Sequence, residues 1–449
     1  MSSSDLDDTK LLKDLAAALL EARQTLLALR RGDKEDAYFP SDRLRWITSR
    51  ETLQAVAERK GDPAVPALSG WVFALLLLRA NLAAFWDISA TRSEKRVRVR
   101  EPEPAELDLH EVVIRLVADP RRVREDAVTC LAAAGSPLAD PVVAAAERAM
   151  EIARRAGLAH LDDVYSPLPR AELATLAADF QHRTDDLTKN VLSRGDSLAV
   201  VLGRGAALEL SLPFPAQLGP RWVLGLFPRE TGLFDVPGLS LGALPRAVTG
   251  ASFARVLARL GARYADATSA SEVLPVFAST PAELRRRTFG ALFASLFVNQ
   301  PFLRRALGFN AAEASRASRA FALVYLAAAR LAAAKVLSRP ALLSGNGDLA
   351  RESAADQTAQ ALYTEVPRGL ALVLPRPRLT DPGSFLALCL GARLAVRMRE
   401  SFDDDWFRNP RAFSQLHDEL ARQEPLTLSA EPAKEGSVLV ARSLADLLG

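Results

Sequence analysis

Apolar residues in this chain recur mostly at three- and four-residue intervals, and only a few short stretches alternate. Residues 8–31 carry Leu11, Leu12, Leu15, Leu19 and Leu20 at helical spacing and stop at the polar run RRGDKED (30–36). Two further helices are expected over 41–60 and 66–88. The segment SEKRVRVREPEPAEL (93–107) passes from basic to Pro-Glu without a sustained helical face and reads as an exposed linker. VIRLVADPRRVREDAVTCLAAAG (113–135) has the form of one helix–turn–helix unit. An array needs several such units to bury a continuous core, and no second copy is evident, so a plain helix pair is preferred.

The middle of the chain changes character. SLAVVLGRGAALELSLPFP (197–215) and RWVLGLFPRE (221–230) are β-prone and rich in Gly and Pro, so a small sheet or hairpin is expected around 197–230. Helices return over 252–267, 281–298, 300–307 and 311–338, with RGLALVLPRPRL (368–379) as a candidate last strand. Helix 382–400 is apolar nearly all round and should be central. Asn409 before Pro410 is a good N-cap for a helix running to about 421. The pattern predicts a mainly α, multi-helical body. It divides into helical region 1–92, linker 93–107, helical region 108–195, a core over 196–422 holding the small β element, and a tail over 423–449.

Composition narrows the function classes. A chain of 449 residues, 49% hydrophobic, can bury large cores, and a net charge of +3 does not mark a polyanion binder. The start, MSSSDLDDTK, is acidic and polar, unlike a secretory signal. The greasiest run (70–78) is interrupted by Arg79 and Asn81, so it reads as a buried helix too short to span a membrane. Cys130 and Cys389 are isolated, which argues against a disulfide framework. A soluble cytoplasmic protein is expected.

Each candidate for chemistry has a bland rival. His110, His160, His182 and His417 include no pair at ligand spacing, and His110-Glu111 is half of an HExxH with Ile114 where the second histidine belongs. Gly238 to Gly242 matches GxSxG around Ser240, with His417 the only downstream histidine. A nucleophile elbow needs a strand before the serine and a helix after it, whereas Pro237 and Pro245 flank this one, so a structural loop is preferred. Gly203-Arg204-Gly205 lacks the third glycine of a dinucleotide loop. Asp403 to Asp405 read as solvated loop charge, and Arg285 to Arg287 lack the interleaved aromatics of a nucleic-acid face.

Helix 252–267 is the most informative stretch. Phe253, Val256, Leu257, Leu260 and Tyr264 form a core stripe, and Ala254, Ala258, Gly261, Ala262 and Ala265 form an adjoining stripe of small residues. Arg255, Arg259 and Arg263 recur every four residues as either a solvated face or a binding face for an acidic segment. The segment LARLGARYADA (257–267) resembles the HExxH helix of the gluzincin peptidases, the oligoendopeptidase F (M3-like) group. TFGALFASLFVNQPFLRRAL (288–307) and FLALCLGARLAVRMRESFDDDWFRNPRAFSQL (385–416) resemble the following helix and the C-terminal helix pair of that group, and the likeness covers about 240–420.

The resemblance implies a zincin-like scaffold whose metal positions are degenerate. Ala258 and Ala262 stand where the histidines would be and Arg259 where the general base would be, and the third-ligand region offers Arg286, Arg287, Thr288 and Ala291. It therefore implies no zinc, no other cofactor and no peptidase activity. The expected function is a non-catalytic binding or structural protein with a protein or peptide partner, Arg255, Arg259 and Arg263 being its candidate contacts. The rival readings are a serine hydrolase using Ser240 with His417 and a helical-repeat scaffold built around 108–190. They separate on whether 252–267 packs against 281–298, whether Ser240 reaches an imidazole, and whether helix pairs of constant length stack.

Overall fold

The computed structural model describes residues 7–31, 38–59, 65–116, 121–155, 157, 166, 168–192, 197–203, 219–242, 244, 250–268, 280–374, 376–378, 380–421 and 430–449. The N-terminal helices are α1 (Asp8–Arg31), α2 (Arg50–Ala57) and α3 (Val65–Glu94). Strands β1 (Arg96–Val99) and β2 (Ala105–Asp108) follow, then α4 (Leu109–Arg115), α5 (Arg121–Ala134), α6 (Ser136–Arg155) and α7 (Arg170–Val191). Two short helices, α8 (Leu198–Gly203) and α9 (Pro220–Leu224), lead to α10 (Gly250–Thr268), α11 (Thr280–Ser295) and α12 (Gln300–Arg305). The C-terminal part holds α13 (Ala311–Leu342), α14 (Gly347–Leu362), α15 (Asp381–Phe402), α16 (Pro410–Ala421) and α17 (Ala430–Leu448).

The expected mainly helical body is present, and among the described residues its one small sheet lies outside 197–230. Within 197–230, residues 198–203 and 220–224 are helical, because Pro220 at the first helical position and the apolar run 198–203 find helical partners; residues 204–218 lie outside the described residues. The two strands come from the stretch read as a linker. Its RVRV alternates with period two, so Val97 and Val99 share a face and pair with Leu107 and Ala105. On the other face Arg96 meets Asp108 and Arg98 meets Glu106, which are favourable cross-strand charge pairs. Residues 368–370 form a 3-10 turn followed by further turn rather than a strand.

Other boundaries moved for local reasons. The helix expected over 41–60 is a 3-10 helix (Asp42–Thr48) and α2, divided at Ser49, whose extended backbone lets its hydroxyl cap the N–H of Thr52. Helix α3 passes through Arg79 and Asn81 unbroken. Asn81 returns its amide to the Leu77 carbonyl at 3.1 Å, and Arg79 reaches the Thr48 carbonyl and hydroxyl at 3.2 Å. The run judged too short for a membrane thus belongs to a helix that is long and apolar enough to cross one, as is α13. About half or more of each apolar window is buried inside the protein, α3 against α1, α2 and α6, and α13 against α7, α14 and α15. Helices α4 to α7 hold 7, 14, 20 and 22 residues, not the constant-length pairs of a repeat scaffold. Helix α17, expected in a tail, packs on α15 and α7.

The cores are joined by α13. Its capping box, Asn310 with Glu313, starts a helix of 32 residues whose Arg330 is 1% exposed between α7 and α14. Arg330 donates to the carbonyls of Gln181 and Ala361 at 2.8 Å and Gln360 at 2.9 Å, to Thr184 Oγ1 at 2.7 Å and to Asp185 Oδ1 at 2.8 Å. One buried guanidinium thereby ties three helices through fully used donors. Arg330→Ala removes all five of these hydrogen bonds and the cation beside Asp185, and chemical denaturation should show a loss of about 3–5 kcal/mol; a loss below about 1 kcal/mol would mean that water replaces the guanidinium.

Candidate functional site

Helix α10 is sorted into three faces by its sequence. Phe253, Val256, Leu257, Leu260 and Tyr264 are buried in the largest aromatic core, with Tyr264 packed on Phe289, Phe293 and Phe413. The Tyr264 hydroxyl donates to the Phe413 carbonyl at 3.3 Å, and burial pushes the phenol up to about 12. Arg255, Arg259 and Arg263 lie on the exposed face. Arg259 Nη1 donates to the Leu241 carbonyl at 3.3 Å, fastening the loop that contains Ser240 across α10, and Arg263 approaches Asp266 at 3.5 Å.

The third face meets α11 at backbone contact. A Cβ on Gly261 would collide with the Phe289 carbonyl, and one on Gly290 would lie 2.9 Å from the Ala258 carbonyl and 3.8 Å from the Ala262 methyl. The Ala262 methyl and the Ala258 carbonyl therefore lie directly against Gly290 of α11. On the opposite side of α11, a Cβ on Gly391 of α15 would lie 2.5 Å from the Ala291 methyl and 3.0 Å from the Thr288 carbonyl. Arg287 likewise turns to α15, donating to Ser384 and to Thr380 Oγ1 at 3.0 Å. Of the third-ligand region, Arg287, Thr288 and Ala291 therefore point away from α10. The helical period explains this: 283, 286, 290 and 293 share the stripe toward α10, and 287, 288 and 291 lie on the next one.

A charged cluster closes one end of this interface. Glu283 holds Arg286 at 2.5 Å and also pairs with Arg287. Asp266 sits largely buried within range of Arg286, Arg263 and Glu283; burial pushes its carboxyl up to about 6, against the pull of the two arginines. Sequence reading missed Asp266. It stands four residues beyond Ala262 and eight beyond Ala258, so the small-residue stripe ends on a carboxylate, a spacing that could have revealed it. The basic run 285–287 is thus partly neutralised by Glu283.

These residues do not fit a zinc ion. The Ala258 and Ala262 methyls carry no lone pair, Gly290 stands against the Ala258 carbonyl and the Ala262 methyl, and Glu283 is engaged by arginines. Among the described residues no group of three or more His, Cys, Asp or Glu could hold a metal; His160 lies outside them.

The other candidates remain apart. Ser240 Oγ accepts from the Gly242 N–H at 3.4 Å in a loop where Gly238 and Gly242 have positive φ, and among the described residues no hydrogen bond joins it to His417 on α16. Of the acidic run, Asp405 pairs with Arg305 and the Asp404 main-chain carbonyl accepts from Asn299 at 3.0 Å, while the Asp403 and Asp404 side chains are exposed, as expected of loop charge.

No family model and no curated protein matches this chain. Solved structures do. A protein described as an oligoendopeptidase F superposes with a TM-score of 0.53 at 13% identity, covering 100% of this chain and 98% of that one. A Bacillus anthracis protein described in the same way gives 0.52 at 10% identity, covering 88% and 82%. A Chlamydophila abortus protein described as a peptidase gives 0.53 at 9% identity, covering 91% and 82%. The chain shares the peptidase fold. The likeness runs over nearly the whole chain, whereas the sequence motifs reached only 240–420. On this peptidase-like scaffold, α10 and α11 are the pair that the motifs singled out.

Two substitutions test the geometry. Gly261→Ala should destabilise by about 1–3 kcal/mol in spite of the better helix propensity of alanine, because its methyl meets a main-chain carbonyl that cannot rotate away. A neutral or stabilising result in urea titration would place α10 and α11 further apart. Because the Asp266 carboxyl binds its proton more tightly when folded, it favours the folded state below about pH 4, and this contribution is lost as pH rises through about 6. Asp266→Asn should therefore gain on the parent chain across that window and plateau above it, by about 1–2 kcal/mol after partial solvent screening. Melting curves at stepped pH read the difference, and parallel curves would refute it.

Proposed function

We propose that this chain is a non-catalytic, helical binding or structural protein built on a peptidase-like scaffold whose metal site has been lost. The observation that carries the reading is the α10–α11 contact. Where the resemblance puts two histidines and an open metal cavity, there are two methyl groups and the backbone of Gly290. Arg259 replaces the general base with a cation that cannot take a proton from water and is turned to the Leu241 carbonyl. The partner on this reading is a protein or an extended peptide in the cytoplasm, with Arg255, Arg259 and Arg263 offering charge to an acidic segment.

The proposal has a direct test. The chain, purified without added metal or chelator, should contain far less than one zinc by elemental analysis and should cleave no member of a quenched fluorescent peptide library. One zinc per chain, removed by chelator together with a peptidase activity, would overturn it.

A further inference from the structure

We draw no further inference here: the strongest candidate, the open cleft at the C-terminal end of α15 lined by Pro301, Arg305, Arg399 and Asp403 to Asp405, is a cluster of acidic loop residues whose Asp405 already pairs with Arg305, and nothing in the structure points to a ligand for it.

Discussion

The direct contact between α10 and α11 is the constraint on which the rest of this structure depends. Gly261 and Gly290 let the two backbones meet, so every side chain on either helix is displaced from that line and assigned to another neighbour. The aromatic residues of α10 and α11 go to one side, where Phe253, Tyr264, Phe289 and Phe293 build a core with Phe297, Trp406 and Phe413. The arginines of α10 go to the other side. The arrangement continues outward by the same device, since Gly391 brings α15 onto α11 and Gly436 brings α17 onto the Cys389 carbonyl of α15. Four helices are thus stacked through glycine contacts, with no layer of large side chains between successive backbones along those lines.

This stacking bears on function because a metal site between α10 and α11 needs space. Zinc with its ligands holds helices apart at the distance that imidazole and carboxylate side chains span, about 2 Å from ligand atom to metal on each side. With glycine and alanine at this contact there is no such spacer, and dispersion acts between touching backbones. The charged residues near the interface are then left with structural work. Glu283 orients Arg286 and Arg287, and Arg287 in turn fastens α15 through Ser384 and Thr380. On the outer surface of α10, Arg259 and Arg263 are engaged with the Leu241 carbonyl and Asp266.

Whole-chain likeness to peptidase structures at about a tenth identity illustrates how little of a fold is held by particular side chains. Particular side chains still matter at the central span, where α13 buries Arg330, a cation without exposure used up by five acceptors on two neighbouring helices.

Helix by helix, the sequence alone determined which residues are inward. The core stripe and small-residue stripe of 252–267, the central apolar helix over 382–400 and the Asn409 start were all readable, because a period of 3.6 residues records one dominant neighbour. The β hairpin was readable too, in RVRV, but four residues of alternation were outweighed by the Pro-Glu run beside them. Tertiary structure decided the rest. Sequence placed Ala258 and Ala262 opposite α11, but only packing showed that Gly290 stands against the Ala258 carbonyl and the Ala262 methyl and that Arg287, Thr288 and Ala291 turn toward α15. The same limit hid Asp266, whose proton affinity rises because a neighbouring helix excludes water from it. Periodicity along one helix fixes a face; distance to the facing helix, and the dielectric between them, depends on residues brought in from elsewhere in the chain.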